Sequence, residues 1–244
     1  MSELKSCDKY CMNSSKKVII WDFDGTMYPI DPSDAECYLL KIASAEMSFF
    51  KAAASSFRIR LDQKQLFSKQ FKKHYIRLLT GCNKSLIDKT AEYIAKTIPK
   101  TEIEHYHDLK ERGWKQYIIS CGTYDICIKV LEILGISHCF TKVIANKFIY
   151  NENKISRMDI TVKNGEIKPV IMEKLLNEQK EIGVELSQVI AVGDGYTDIP
   201  LLNRVRTPIL IDWSGRAAST FNRQGFTYIT RPSDILGILN NHEN

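Results

Sequence analysis

Residues 18–26, Val-Ile-Ile-Trp-Asp-Phe-Asp-Gly-Thr, are the stretch from which the fold can be inferred. The four apolar residues are too few for a helix and predict a buried strand, and the Gly-Thr pair predicts a turn after it. Asp22 and Asp24 are therefore expected at the carboxyl end of a strand, where open α/β sheets bind ligands. Two carboxylates this close either share a cation or shift each other's pKa, so that one attacks while the other carries a proton. A turn rich in aspartate but without chemistry is the alternative for this motif taken alone.

Two later segments repeat this design. Residues 117–122 (Tyr-Ile-Ile-Ser-Cys-Gly) place Ser120 at the end of an apolar run, and residues 189–198 (Val-Ile-Ala-Val-Gly-Asp-Gly-Tyr-Thr-Asp) place Asp194 and Asp198 there. Further short strands at 143–145, 209–211 and 227–229, and a hairpin over 147–162, alternate with helical segments. This alternation predicts an α/β fold, with a Rossmann-like, mostly parallel sheet covered by helices on both faces. The three polar strand ends would then meet at one edge.

The segment that follows the first strand has a helical pattern. Residues 36–50 have helix-forming composition, residues 85–96 form another helix, and large apolar residues recur between them at helical spacing: Phe67, Phe71, Tyr75, Leu78 and Leu79. We therefore predict an all-helical cap over residues 33–97, inserted into a core of residues 16–32 and 98–244, behind a loose N-terminal tail over residues 1–15. Residues 33–97 contain 12 Lys/Arg and 6 Asp/Glu, which suits an anionic substrate, although a solvated helical surface explains the excess equally well.

Several carboxylates at one sheet edge would repel each other without a cation. Oxygen ligands without His or Cys favour Mg²⁺, which would bridge a substrate phosphate to the carboxylates. Ser120 and the amides near Gly25 and Gly122 can donate to the phosphate oxygens. Phosphoryl transfer also needs a basic group against the developing charge. Lys168, at a predicted helix start, is the first candidate, and two weaker ones are Lys163 and Lys147.

These elements, in this order, resemble the four motifs of the haloacid dehalogenase superfamily. The motifs are Asp22-Phe23-Asp24-Gly25-Thr26, the strand-end Ser120, the helix start at Lys168, and residues 193–198; the resemblance covers residues 18–212. The helical insertion, the Gly-Asp-Gly-x-x-Asp form of the last motif, and residues 145–147 (Ala-Asn-Lys) before a hairpin are similar to the phosphoserine-phosphatase-like branch.

The resemblance implies a phosphatase and a role for each site residue. Asp22 would be the nucleophile that forms an aspartyl-phosphate, and Asp24 would be the acid toward the leaving oxygen and then the base for water. Mg²⁺ would be held by Asp22, the backbone carbonyl of Asp24, and Asp194. Asp198 would not bind the ion directly but would orient a ligand water or Lys168. Ser120, Gly122 and Lys168 would bind the phosphoryl group.

The chain departs from the phosphoserine phosphatase pattern at two positions. Asp31 stands where those enzymes carry a glutamate for the substrate's amino group, and Gly25 replaces their usual serine. Both differences argue against phosphoserine as the substrate. The cap is expected to act as a lid that excludes water and reads the leaving group. Its basic residues either contact substrate or form solvated helix faces: Arg58, Arg60, Lys72, Lys73 and Arg77.

The sequence thus predicts a Mg²⁺-dependent hydrolase for a small phosphorylated metabolite. Transfer of the phosphoryl group to an alcohol would use the same residues, and a non-catalytic, anion-binding protein of the same fold is the third possibility. A non-catalytic protein does not need both Asp22 and Asp24. Neither a nucleic acid nor a membrane partner is expected, because the net charge is only +5 and dense Lys/Arg runs are lacking. The oligomeric state is not predicted.

The remaining cysteine and histidine residues predict no further site. Seven cysteines without a C-x-x-C pair are typical of reduced thiols, and the polar N-terminus resembles neither a signal peptide nor a membrane span, so we expect a cytoplasmic protein. Cys121 has no histidine in its local motif and is expected to be a packed thiol. The five histidines show no metal-binding spacing and are expected to be structural or solvated: His74, His105, His107, His138 and His242.

Overall fold

A seven-stranded sheet, ordered β4-β3-β2-β1-β5-β6-β7, organises the chain. The computed structural model describes residues 17–30, 33–63, 71–178, 189–214 and 225–243. The strands are β1 Val18–Trp21, β2 Lys115–Thr123, β3 Phe140–Asn151, β4 Lys154–Asp159, β5 Val189–Gly193, β6 Thr207–Ile211 and β7 Thr227–Ile229. All neighbouring pairs are parallel except β3 and β4, which form the predicted hairpin. The predicted mostly parallel α/β sheet is confirmed.

Helices cover both faces of this sheet. They are α1 Ala35–Ala43, α2 Phe49–Gln63, α3 Phe71–Leu79, α4 Ser85–Thr97, α5 Glu104–Glu111, α6 Tyr124–Ile133, α7 Lys168–Glu178, α8 Ile199–Leu202 and α9 Ile235–Glu243. Successive residues of β1 pack on opposite sides, with Ile19 and Trp21 facing one apolar cluster and Val18 and Ile20 facing the other. A strand apolar on both faces needs two covering layers, which is why its sequence reads as a continuous apolar run.

Helices α1 to α4 lie between β1 and β2, within the predicted cap. Residues 36–50 do not form the single helix that their composition predicted. Helix α1 ends at Ala43, a 3₁₀ turn covers Ser44–Glu46, and α2 begins at Phe49. The helix does not continue into α2 because the backbone leaves the helical region after this turn, with Met47 extended at φ −93° and ψ 155°. The boundaries of the cap domain stay a prediction.

The cap helices share one apolar cluster with the core. Phe71, Tyr75, Leu78 and Leu79 are buried as expected, and Tyr75 also stacks on Phe148 of β3 with ring centroids 6.1 Å apart. The turn between α3 and α4 hydrogen-bonds to the hairpin, since the amide of Gly81 donates to the Ile155 carbonyl at 2.8 Å. The hairpin thus ties α3 and α4 to the sheet. Phe67 lies outside the described residues, as do the predicted tail and the end of the helix predicted over residues 170–182.

Within the described ranges, no helix combines the length and the apolar character that crossing a membrane requires.

His105 gives the fold a measurable response to acid. Its ring is 2% exposed, packs against Trp21 and Tyr106, and has no hydrogen-bond partner for either nitrogen among the described residues. Burial lowers the pKa of His105 from 6.5 to about 3. The unfolded chain therefore binds a proton that the folded chain excludes, so this residue destabilises the fold as the pH falls below 6.5. Lowering the pH from 7 to 5 should remove about 2 kcal/mol of the free energy of unfolding through His105.

We expect the His105→Phe variant to lose that part of the acid response. Urea unfolding of both proteins at pH 7 and pH 5 measures how much the free energy of unfolding changes with pH in each. The difference between the two changes isolates His105, because the contributions of other titrating groups cancel. His74→Gln, at a half-buried position on α3, is the matched control. The same pH dependence in wild type and His105→Phe would contradict the prediction.

Candidate active site

The polar ends of β2, β1 and β5 lie side by side, as the sequence predicted, because these three strands are neighbours in the sheet. The amide of Asp22, directly after β1, donates to the Val192 carbonyl of β5 at 2.9 Å. Ser120 lies near the carboxyl end of β2, and Asp194 directly follows β5. Residues far apart in sequence therefore meet at one edge of the sheet.

Lys168 joins this cluster from the first position of α7. Its side chain is fully buried, and its Nζ lies 2.6 Å from Asp22 Oδ1 and 2.5 Å from Asp198 Oδ1. Burial opposes the charge on this lysine, but the facing carboxylates of Asp198 and Asp22 raise its pKa well above the ordinary value. The other two candidate lysines, Lys147 and Lys163, are exposed.

Asp22 is almost fully buried, at 5% exposure. Its pKa is raised to about 7: burial is the largest cause, the negative charge of Asp198 adds to it, and the Lys168 ammonium opposes both effects. A carboxylate that is desolvated but held by one ammonium is kept from free hydration, which suits a nucleophile.

Asp24 occupies a different environment, although only one residue separates it from Asp22. Its Oδ1 accepts hydrogen bonds from the Tyr28 hydroxyl and from the Ala35 amide, the latter at 3.3 Å. Burial raises the pKa of Asp24, the negative charge of Asp34 adds to this, and the hydrogen bond from Tyr28 opposes it. A raised pKa favours the protonated form of Asp24, which is the form that can give a proton to a leaving oxygen.

Asp194 completes the acidic cluster. Carboxylate oxygens of Asp22, Asp194 and Asp198 lie within 4.8 Å of one another. Asp198 is buried, and its Oδ2 accepts the amides of Asp194 at 3.1 Å and Gly195 at 3.2 Å. By contrast, the side chain of Asp194 has no hydrogen-bond or ion-pair partner among the described residues. Burial, reinforced by Asp198 and Asp22, raises the pKa of Asp194 well above its ordinary value.

These residues fit a hard divalent cation. The cluster offers carboxylate oxygens as ligands. Lys168 contacts two of its carboxylates, whereas no lysine or arginine in the described part of the chain contacts Asp194. Oxygen ligands of this kind suit Mg²⁺.

Glycines allow the backbone to come close to these side chains. A Cβ on Gly25, whose φ is +77°, would lie 2.1 Å from Asp194 Oδ2, so the turn after Asp24 runs directly against Asp194. A Cβ on Gly122 would lie 2.4 Å from Asp24 Oδ2 and 3.1 Å from Ser120 Oγ. The amide of Gly122 donates to Ser120 Oγ at 2.9 Å, which leaves the hydroxyl hydrogen of Ser120 available to a bound phosphoryl oxygen.

Gly122→Ala is expected to lower kcat by about 100-fold, because the added methyl group must displace Asp24 or Ser120 by several tenths of an ångström. The measurement is steady-state phosphate release. Gly237→Ala is the matched control, since a Cβ there meets open space. Equal rates for both variants would show that the close approach at Gly122 is unimportant.

Sequence reasoning missed a buried ion pair beside the site. Glu36, in the first turn of α1, is only 7% exposed; it accepts hydrogen bonds from Lys72 Nζ of α3 and, at 3.2 Å, from Thr123 Oγ1 at the end of β2. Burial raises the pKa of Glu36 to about 7, and Lys72 opposes this. Lys72 also lies 5.8 Å from the Tyr75 ring centroid. Helix composition alone gave no signal that distinguished Glu36 from a surface glutamate.

Three of the other basic candidates in the cap lie on the surface. Arg60, Lys73 and Arg77 are exposed, and the side chain of Arg58 lies outside the described residues, as does Asp31. Cys121 is half-buried next to Ser120, and burial raises its pKa to about 11, which is consistent with an unreactive thiol.

Comparison with known proteins gives the same family along most of the chain. The family model for haloacid dehalogenase-like hydrolases matches residues 16–206. A phosphoserine phosphatase from Methanocaldococcus jannaschii is 28% identical over 197 residues, which cover 79% of this chain and 84% of that protein. A phosphoglycolate phosphatase from Aquifex aeolicus is 23% identical, with coverage of 93% and 98%. A solved structure of a substrate-bound phosphoserine phosphatase superimposes with a TM-score of 0.69 at 20% identity, covering 91% of this chain and 98% of that one.

Proposed function

The chain belongs to the haloacid dehalogenase-like hydrolase family, and from this premise we propose that it is a Mg²⁺-dependent phosphomonoester hydrolase for a small phosphorylated metabolite. The observation that carries the proposal is the contact of buried Lys168 with Asp22, at 2.6 Å, next to a second carboxyl at Asp24 with a raised pKa. A nucleophile, a proton donor and a phosphate-binding cation thus come together at one sheet edge.

In the proposed reaction Asp22 attacks the phosphorus atom and forms an aspartyl-phosphate. The bond from phosphorus to the leaving oxygen breaks, and Asp24 gives that oxygen its proton. Asp24 then takes a proton from a water molecule that attacks the phosphorus, which releases inorganic phosphate and restores Asp22. Lys168 and the hydroxyl of Ser120 bind the phosphoryl oxygens, and the amide of Gly122 holds Ser120 in place.

The residues that would hold Mg²⁺ are Asp22, Asp194 and the backbone carbonyl of Asp24. When bound, the ion supplies positive charge that offsets the phosphate charge and the mutual repulsion of the carboxylates. Asp198 acts indirectly: it orients Lys168 and is itself fixed by the amides of Asp194 and Gly195.

We further propose that the Glu36–Lys72 pair borders the leaving group. Lys72 is among the charges that lower the pKa of Asp24, and Asp24 is among those that raise the pKa of Glu36, so the pair lies within electrostatic reach of the proton donor. Glu36 Oε1 already accepts hydrogen bonds from Lys72 and Thr123, and the Lys72 ammonium beside it would repel a substrate ammonium group. This favours a leaving group without an amino group beside the scissile bond.

The net charge of only +5 and the lack of dense Lys/Arg runs support a small substrate rather than a nucleic acid. The five cysteines within the described residues are all free thiols, which supports our proposal of a cytoplasmic protein: Cys37, Cys82, Cys121, Cys127 and Cys139.

The test is release of inorganic phosphate from a panel of phosphomonoesters with and without Mg²⁺. The panel pairs substrates that differ only in an amino group, such as phosphoserine and a phosphorylated hydroxy acid. Metal-dependent release supports the hydrolase, and the preferred member of each pair tests the leaving-group argument. Adding candidate alcohols reveals phosphoryl transfer if a new phosphate ester forms faster than free phosphate. Binding of substrates without either reaction would indicate a non-catalytic protein.

A further inference from the structure

His107, His138 and Cys139 form a second cluster of metal-ligating side chains. Cys139 Sγ lies 3.5 Å from His107 Nδ1 and 3.8 Å from His138 Nε2, and the three ligand atoms all lie within 4.8 Å of one another. Cys139 is 3% exposed, His107 is half-buried and His138 is exposed. The sulfur is therefore buried in the protein, and the two ring nitrogens that face it lie on the side of the site that is open to solvent.

The two sulfur–nitrogen distances are close to those of a tetrahedral zinc site. Bond lengths of about 2.3 Å for Zn–S and about 2.0–2.1 Å for Zn–N place sulfur and nitrogen about 3.5 Å apart along a tetrahedron edge. One thiolate with two imidazoles is also a ligand set that suits Zn²⁺ rather than Mg²⁺.

Three separate contacts hold the ligands in place. His107 lies on α5, while His138 and Cys139 lie on the 3₁₀ turn Ser137–Cys139 that leads into β3. Lys110 of α5 donates to the His138 carbonyl at 2.8 Å. Gln116 of β2 donates to the Tyr106 carbonyl at 2.8 Å and the Cys139 carbonyl at 3.4 Å. Helix α5 and the 3₁₀ turn, which carry the three ligands, are thus joined by hydrogen bonds that do not involve the ligand side chains.

This cluster is separate from the candidate active site. It lies at the amino-terminal end of β3, whereas Asp22, Ser120 and Asp194 lie at the carboxyl ends of their strands. The strand register puts Phe140 beside Gln116 and Trp21 beside Ile118, so about five residues of β2, or about 16 Å, separate the level of Cys139 from that of Ser120.

We propose that His107, His138 and Cys139 bind one Zn²⁺ ion, with solvent at the fourth position, and so pin α5 to the start of β3. The ion stabilises the folded chain, because the unfolded chain does not hold the three ligands together. This site does not depend on the proposed phosphatase activity.

The test uses Co²⁺ as a spectroscopic stand-in for Zn²⁺ on the reduced full-length protein. Thiolate coordination gives a charge-transfer band in the near ultraviolet, which oxygen ligands such as those of the acidic cluster do not give. We expect one equivalent of Co²⁺ to produce the band and one equivalent of Zn²⁺ to remove it. We also expect saturating Zn²⁺ to raise Tm by about 5 °C.

Three variants and one control complete the experiment. Cys139→Ser should abolish the band, and His107→Gln and His138→Gln should weaken metal binding by about tenfold or more. The two histidine variants change less buried positions and so answer the question even if Cys139→Ser does not fold. His74→Gln, which removes a histidine outside the cluster, should bind like wild type. A wild-type protein without the band, or a band that survives in both histidine variants, overturns the proposal.

Discussion

Replacing Asp22 with asparagine is expected to lower phosphate release by about 10³-fold or more while leaving the fold intact. The amide oxygen of asparagine can still accept the hydrogen bond from Lys168, so the packing around the buried side chain is kept. It lacks the negative charge needed to attack phosphorus. Because burial raises the pKa of Asp22 to about 7, removing its charge should not lower the stability of the folded protein at pH 8.

The measurement combines steady-state phosphate release with thermal unfolding. Asp88→Asn is the matched control, because Asp88 is a half-exposed carboxylate that pairs with Lys129 at 3.2 Å on the surface of α4. Its activity should equal that of wild type. A folded Asp22→Asn protein with wild-type activity would rule out the aspartyl-phosphate mechanism, whereas loss of activity with loss of folding would be seen at once in the thermal scan.

Lys168→Met should lower both catalysis and stability. Methionine is similar in length but cannot hold Asp22 or bind a phosphoryl oxygen, so we expect kcat/KM to fall by about 10²-fold or more. It also leaves two buried carboxylates without their ammonium, and breaking a buried ion pair from one side costs about 3 kcal/mol. For a domain of this size that corresponds to a fall in Tm of about 10 °C.

The loss of stability in Lys168→Met should shrink as the pH is lowered. The Lys168 ammonium lowers the pKa of Asp22, so without it the folded-state pKa of Asp22 rises further above its unfolded value. The folded variant then takes up protons that the unfolded chain has not yet bound, so acidification stabilises it relative to wild type. Thermal scans at pH 6 and pH 8 measure the difference. Lys142→Met, which removes an exposed partner of Glu178, is the control and should behave like wild type. Equal Tm values for Lys168→Met and wild type at pH 8 would contradict the assigned ion pairs.

The two site predictions test different parts of the arrangement. Asp22→Asn removes the attacking group and keeps its contacts, whereas Lys168→Met keeps the attacking group and removes the cation that holds it. If both lose activity but only the second loses stability, the cluster works as the geometry indicates.

The sequence by itself determined the sheet and the positions of its polar strand ends. Short apolar runs that end in Asp22, Ser120 or Asp194 can be recognised as strands from the sequence, because strand burial and turn formation depend mainly on residues that are adjacent in the chain. Since the carboxyl ends of parallel strands share an edge, the meeting of these side chains also followed from the pattern. Lys168 was identified among three lysines by its place at a helix start.

Only the tertiary structure decided which side chains pair across the sequence. Glu36 and Lys72 belong to different cap helices, and neither helix shows in its own pattern that the two residues face each other beside Thr123. Likewise His107 and the His138–Cys139 pair have no spacing that predicts a metal site, since α5 and the turn before β3 meet only when β2 and β3 align. The periodicity of a segment indicates which face of that helix or strand is buried. Contacts between side chains of different elements depend on how the elements pack against each other, and that packing is set by the whole chain.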